Sequence, residues 1–158
     1  MRAKKAKIRI ITPDPKFGSI KVAKLVNRSM RDGKKSVAQK QVYKALEIAS
    51  EKSGRKPLEL LDAIIENIAP QMEVRSRRVG GAAYQVPMPV RGERGFSLAV
   101  RWLVEESNKK PNKQYHTYAD KLATEMLDAL EGQGGSINKK NSSHKMAEAN
   151  KAFSHFRW

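Results

Sequence analysis

The side chains best suited to chemistry lie in one short basic segment, MEVRSRRVGGAAYQVPMPV, at positions 72–90. Three arginines precede a pair of glycines, and a tyrosine follows it. Guanidinium groups bind phosphate through two parallel hydrogen bonds, glycines let the backbone approach a ligand closely, and a tyrosine ring can stack on a nucleobase. The segment therefore predicts contact with a phosphate-rich polymer; the alternative is a solvated hairpin whose charges only protect its edges. These residues are Arg75, Arg77, Arg78, Gly80, Gly81 and Tyr84.

A β-hairpin is the element that would position these side chains. The Gly-Gly pair fits a two-residue turn, which places Arg77 opposite Tyr84 and Arg75 opposite Val86, with Arg78 on the other face. Two prolines limit the second strand to an edge, and an isolated two-stranded ribbon is marginal in water. We therefore expect the hairpin to rest on helices at its base.

The other titratable residues show no catalytic or metal-binding pattern. The histidines His116, His144 and His155 match no zinc-binding spacing. Glu105 and Glu106 are adjacent on a predicted helix and do not face each other. The glycines and lysines of EGQGGSINKK lack the spacing of a phosphate-cradling loop. We expect no enzyme activity, no cofactor and no metal site; a basic enzyme acting on nucleic acid is a minor alternative.

The net charge of +16 is unevenly distributed along the chain. Residues 1–35 carry twelve lysines and arginines against two acids, whereas residues 41–70 carry four against five. A clustered excess of this size predicts a polyanionic partner. Cysteine is absent, which excludes disulfides, and no apolar run is long enough to span a membrane. We expect a soluble protein of the cytoplasm that lacks a secretory signal.

Apolar residues at helical spacing predict six helices, three before the hairpin and three after it, packed as a bundle. Gly33 is expected to end the first helix. A capping box at 36–39 is expected to begin the second helix, which Gly54 ends. The third helix is predicted between Pro57 and Pro70.

The chain after the hairpin is predicted to form three more helices. The fourth carries Arg101 and Trp102, and a loop at 108–113 follows it. For the tryptophan, packing in the core is favoured over contact with nucleic acid. A fifth helix is predicted over residues 115–130, residues 132–143 are predicted to be flexible, and a last helical pattern leads into the C-terminal tail.

Four separated motifs resemble a known family. They are DPKFGS with MRDGKKS, the hairpin segment, SLAVRWLVE and MAEANKAFSHFRW, and in this order they resemble bacterial ribosomal protein seven of the small subunit over nearly the whole chain. The resemblance implies a mainly α fold of six helices with a protruding β-hairpin arm between helices three and four. We expect one domain over residues 1–158, with a basic N-terminal extension at 1–18, the arm at 72–90 and a tail at 150–158.

The same resemblance implies a structural role in the ribosome. It implies a primary binder of 16S rRNA that nucleates assembly of the 3′ major domain, the head of the small subunit. The arm would lie near the exit-site tRNA and the mRNA exit path, and the protein would be a monomer that contacts small-subunit ribosomal proteins nine and eleven. The arm residues expected there are Arg77, Arg78, Gly80, Gly81 and Tyr84. The residues expected to bind rRNA are Arg2, Lys4, Lys5, Lys7, Arg9, Lys34, Lys35, Arg75, Arg77, Arg78, Arg94, Arg101, Trp102, Lys109, Lys110 and Lys113.

Two further classes of function compete with this interpretation. A DNA-binding or architectural protein would also use basic residues, but no helix-turn-helix recognition pattern is found. A membrane-surface module could use the basic N-terminus, but Ile8, Ile10 and Ile11 are too few for a broad amphipathic face. A preference for structured RNA over duplex DNA separates the first rival, and liposome flotation separates the second.

Overall fold

Six α-helices, one β-hairpin and a closing 3-10 helix make up residues 9–156, the part of the chain that the computed structural model describes. The six helices and the position of the hairpin after the third helix confirm the predicted fold class. The elements in order are α1 (Ile20–Ser29), α2 (Lys35–Ser53), α3 (Pro57–Ile68), β1 (Met72–Val79), β2 (Ala82–Pro89), α4 (Gly92–Lys109), α5 (Tyr118–Leu130), α6 (Gly134–Ala149) and the 3-10 helix Lys151–Phe156.

One hydrophobic core holds the first five helices together. Each helix repeats apolar residues every three or four positions, so that one side of it is buried against its neighbours. α5 packs against α2, α3 and α4, and α1 packs against α2 and α4. The largest fully buried aliphatic side chains are Leu25, Leu46, Leu60, Leu61, Ile64, Ile68, Leu103, Leu122 and Met126.

The helix boundaries confirm some of the predicted signals and correct others. Gly54 ends α2 in the left-handed conformation, and Pro57 occupies the start of α3, both as predicted. The capping box predicted at 36–39 is wrong, because the residue that precedes α2 is Lys34, two positions before Ser36, and no side chain caps the helix. α1 ends at Ser29, so the predicted stop, Gly33, lies in the turn that follows.

The capping box of the described chain begins α5 instead. The Thr117 hydroxyl accepts a hydrogen bond from the Asp120 backbone N–H at 3.2 Å and donates one to the Asp120 carboxylate at 2.7 Å. Mainly because of that donated bond, the pKa of Asp120 is lowered. The predicted loop at 108–113 begins later than expected, because α4 continues to Lys109, and the helix start predicted at 115 is displaced to Tyr118 by this capping box.

The segment predicted to be flexible, 132–143, lies almost entirely in α6, so this prediction is wrong. Its start is fixed by Glu125 of α5, whose Oε1 accepts hydrogen bonds from the Ser136 backbone N–H at 2.9 Å and from its hydroxyl at 2.7 Å. Both side chains are buried. Glycine-rich composition predicts flexibility only where no such tertiary contact fixes the backbone.

The hairpin has the predicted register and is held from the side by the C-terminal part of the chain. Arg75 lies opposite Val86 and Arg77 opposite Tyr84. α6 contacts β1, and the 3-10 helix contacts β2. The arm therefore rests on helical segments, as expected, but on segments far from it in sequence.

Candidate nucleic-acid interface

A carboxylate at the base of the arm organises two of the predicted binding arginines. Glu73 Oε1 accepts a hydrogen bond from Arg75 Nε at 2.7 Å and forms an ion pair of 2.6 Å with a terminal nitrogen of the same side chain, and Glu73 Oε2 accepts a hydrogen bond from Arg94 Nε at 3.2 Å. Burial raises the pKa of Glu73, but the bonds to Arg75 and Arg94 outweigh burial and lower it overall. Both guanidinium side chains stay about half exposed, so they remain accessible to a phosphate while their direction is fixed.

The other two arginines of the arm form no ion pair with any acid in residues 9–156. Arg77 is half-buried and Arg78 is exposed. They adjoin the turn, where Gly80 has φ +57° and Gly81 has φ +88°, a left-handed conformation that favours glycine. The tip of the arm thus presents two cations without an acidic partner, next to the backbone of two glycines that no side chain covers.

Tyr84 is engaged with the C-terminal aromatic residues. Its ring centroid lies 5.3 Å from that of Phe153 and 5.2 Å from that of Phe156. Edge and tilted contacts of this kind stabilise by about 0.5–1.5 kcal/mol beyond the buried area. Stacking of Tyr84 on a base remains a prediction, and this cluster is the contact with which a base would compete.

Arg101 and Trp102 lie on α4 in different surroundings. Trp102 packs against the hydrophobic core, as favoured above, and its other side borders a cavity of about 350 Å³ between the arm and α6. Arg101 is half-buried, and its Nε is shielded from solvent without a hydrogen-bond acceptor among the described residues. A shielded guanidinium nitrogen without an acceptor is uncommon, because leaving such a donor unpaired costs free energy.

The predicted lysines divide into free and paired groups. Lys34 and Lys35 are exposed at the start of α2, and Lys113 is exposed in the loop between α4 and α5. Lys109 is paired with Glu106 at 2.7 Å, and Lys110 lies between Glu125 at 3.1 Å and Asp128 at 2.7 Å. The Lys110 side chain is only 16% exposed, and its charge is neutralised by these two carboxylates.

Five predicted binding residues belong to the N-terminal extension. Arg9 is exposed. The other four lie outside the described residues, namely Arg2, Lys4, Lys5 and Lys7.

Charge is distributed unequally among the helices. α1 carries three basic residues and no acid, whereas α3 carries three acids and no base. α1 packs against α4, which bears Arg94 and Arg101. The basic residues of α1, Lys21, Lys24 and Arg28, were not among the predicted binding residues, although the absence of acids from this helix was a usable signal.

Metal-binding and membrane-spanning features are absent from the described ranges. No group of three or more histidines and acids within residues 9–156 could hold a metal ion. No helix in the same range is both long and apolar enough to cross a bilayer.

Comparison with known proteins identifies the family. The family described as ribosomal protein S7p/S5e matches residues 1–151. The chain belongs to this family. It is 55% identical over 150 residues to the small ribosomal subunit protein uS7 of Geotalea uraniireducens and 53% identical over 150 residues to that of Caldanaerobacter subterraneus, with 95% of this chain and 94% of each relative covered. It is 51% identical over 152 residues to the protein of the same name from Caldicellulosiruptor saccharolyticus, with 96% of both chains covered.

Membership in the S7p/S5e family confirms the resemblance drawn from the four motifs. It makes the chain a structural constituent of the small ribosomal subunit, a cytoplasmic particle. The RNA-binding and translation roles expected from the basic arm agree with this membership. The individual contact residues are untested by it and remain predictions.

Proposed function

We propose that this chain binds 16S rRNA directly as a primary binder and nucleates assembly of the 3′ major domain, the head of the small subunit. The observation that carries the proposal is the segregation of charge: Arg77 and Arg78 on the arm and Lys34 and Lys35 at the start of α2 have no acidic partner among residues 9–156. Unneutralised cations displace the counterions condensed on RNA, which supplies affinity without regard to sequence. Specificity then comes from the shape of a folded junction and from unstacked bases.

The arm has a separate part in this proposal. It would project toward the exit-site tRNA and the mRNA exit path, presenting Arg77, Arg78 and the Gly-Gly turn, while small-subunit ribosomal proteins nine and eleven contact the same chain. What supports the assignment is the resemblance of the hairpin motif together with the exposed charge at the tip. Within the ribosome the protein is proposed to act as a monomer, without a cofactor and without catalysing a reaction.

Salt titrations by filter binding test the main proposal. One series uses a transcript of the 3′ major domain and the other uses duplex DNA of equal length. We expect tighter binding to the RNA, with the advantage kept as salt rises, although both affinities fall by about 10³–10⁵ between 50 and 200 mM if six to ten phosphates are neutralised. Coincident curves would show a general polyanion binder and overturn the proposal. RNA that stays intact after long incubation with divalent metal excludes nuclease activity.

A matched pair of variants tests the arm. Replacing Arg77 and Arg78 by alanine removes two charges from the tip, and replacing Lys52 and Arg55 by alanine removes two exposed charges near the end of α2. Removing a cation that binds a phosphate lowers the salt slope by about one. The slope of the arm variant should therefore fall by about two, and that of the control should not change. Equal slopes in the two variants would place the RNA elsewhere on the protein.

A further inference from the structure

The outer half of the arm, residues 76–85, has no core of its own. None of these residues is buried, whereas Val86 and Pro87, closer to the base of the arm, are buried. The base is fastened to α6 and to Arg94, but those contacts involve residues 71–75. A two-stranded ribbon without a packed face is marginal in water. The outer half therefore needs a support separate from that of the base.

A triangle of aromatic rings provides that support. The Tyr84 ring centroid lies 5.3 Å from that of Phe153 and 5.2 Å from that of Phe156, and the two phenylalanine rings are 6.5 Å apart and nearly parallel, at 11°. Both phenylalanines belong to the closing 3-10 helix, Lys151–Phe156, which we call the strap. Tyr84 lies opposite Arg77, close to the turn. The strap thus contacts the arm near its tip as well as from the side.

The strap is itself lightly packed against the rest of the protein. None of its residues is buried, and a cavity of about 430 Å³ separates part of it from α6 and the base of the arm. The walls of this cavity include Met72, Pro87, His144, Ala147, Lys151 and Ser154. Segments with few buried apolar contacts open at a lower free energy than the core of a protein does. The strap can therefore separate from the arm while α6 keeps its contacts with α4 and α5.

We propose that the strap is a conformational device with a closed and an open state. In the closed state, which this structure shows, it packs on the Tyr84 ring and gives the outer half of the arm a fixed direction. In the open state it releases the ring and leaves residues 76–85 free to move, while the base keeps its hydrogen bonds to Ser143 and His144. The device belongs to the free protein, so it does not depend on the proposed function.

Amide hydrogen exchange of the whole chain, followed residue by residue by NMR, measures the opening of each part of the arm. Phe153→Ala combined with Phe156→Ala removes both ring contacts of Tyr84, and each such contact favours the closed state by a factor of roughly 2–10. We therefore expect residues 76–85 to exchange at least about tenfold faster than in wild type, with α4 and α5 unchanged. Val37→Ala, at an exposed position on α2, is the control and should exchange as wild type.

Two changes on the arm side make the result independent of how alanine affects the 3-10 helix. Tyr84→Thr removes the ring but keeps a residue suited to a strand, and it should speed exchange in residues 76–85 as the double alanine variant does. Tyr84→Phe keeps the ring and should exchange as wild type.

Two results would overturn the proposal. One is exchange in residues 76–85 that equals wild type in both the double alanine variant and Tyr84→Thr, or that is already unprotected in wild type. The other is an equal acceleration at the base, read at the Val90 backbone N–H, which donates to the Gln71 carbonyl at 2.9 Å. The arm would then open as one unit, and the strap would not act on its outer half separately.

Discussion

Lys110 is expected to be needed for stability far more than its neighbour Lys109. Its ammonium lies 3.1 Å from Glu125 Oε2 and 2.7 Å from Asp128 Oδ2, and the Glu125 side chain is only 2% exposed. Lys110→Met leaves this buried carboxylate without its cation. Removing one partner of a buried ion pair costs about 3–5 kcal/mol. Because Ser136 still donates two hydrogen bonds to Glu125, we expect the lower end, about 3 kcal/mol.

Urea unfolding at pH 7 measures this cost, and thermal unfolding gives a second reading. A loss of about 3 kcal/mol in a chain of this size lowers the melting temperature by roughly 6–12 °C. Lys109→Met is the matched control: its partner is Glu106 and its side chain is 63% exposed, so solvent screens the pair and the change should be slight. Glu125→Gln combined with Lys110→Met should recover part of the loss, since the amide oxygen still accepts from Ser136.

The stabilisation by Lys110 depends on pH with a definite sign. Burial lowers the pKa of Lys110, but the bonds to Asp128 and Glu125 outweigh burial, and the pKa lies above its ordinary value of 10.5. The stabilisation is therefore complete below pH 10.5 and is lost as the pH rises through the folded-state pKa. If Lys110→Met and Lys109→Met unfold at the same urea concentration at pH 7, the reasoning about the buried carboxylate is refuted.

Three other changes have expected outcomes. Tyr43→Phe removes the hydrogen bond of 2.6 Å from the tyrosine hydroxyl to Asp14, which is 3% exposed, and should lower the unfolding free energy by about 1–2 kcal/mol in urea. Burial and Asp14 raise the pKa of Tyr43 to about 12. The stabilisation by the Tyr43 hydroxyl is therefore complete below pH 10 and is lost as the pH approaches 12, and Tyr43→Phe should not show this loss. Gly135→Ala places a Cβ 2.6 Å from Glu106 Oε2 and should lower the unfolding free energy by about 1–3 kcal/mol. Gly92→Ala, whose Cβ meets nothing within 4 Å, is the control and should be near neutral. Equal melting temperatures of the two variants would contradict this. The wild-type protein should lose stability as the pH falls through the lowered pKa of Glu73, and Glu73→Gln should remove this loss. Urea titrations between pH 3 and 6 measure the unfolding free energy of both proteins. If it falls equally with pH in the two, this carboxylate is not the cause.

The local elements were predictable where one residue fixes the backbone by itself. The two glycines of the turn determined the register that sets Arg75 opposite Val86, and Pro57 and Gly54 marked helix ends, because their allowed torsion angles are independent of distant contacts. The start of α6 was missed for the opposite reason. Its glycines take a helical path because Glu125, a residue of the preceding helix, binds Ser136.

The candidate interface was predictable only in its charge. The arginines of the arm are accessible, as their type and clustering indicated. The sequence could not show that Glu73 directs Arg75 and Arg94, or that Lys110 is enclosed by two carboxylates, because both arrangements join residues brought together only by packing. The aromatic triangle between the arm and the strap was missed likewise, since Tyr84 and Phe153 lie far apart along the chain.

The support of the arm by the end of the chain has a consequence for the order of events during synthesis. The Gln71 backbone N–H donates to His144 Nε2 at 3.0 Å, and the Ser143 hydroxyl donates to the Met72 carbonyl at 3.2 Å, across separations of 73 and 71 residues. At a translation rate of about 5–20 residues per second, the arm emerges roughly 4–15 s before the segment that supports it. A nascent chain can therefore bury its first helices while the arm is still unsupported. The arm of a newly made molecule becomes fixed only when residues 143 and 144 have emerged, so a chain that has not reached them would present RNA with a hairpin of undefined direction.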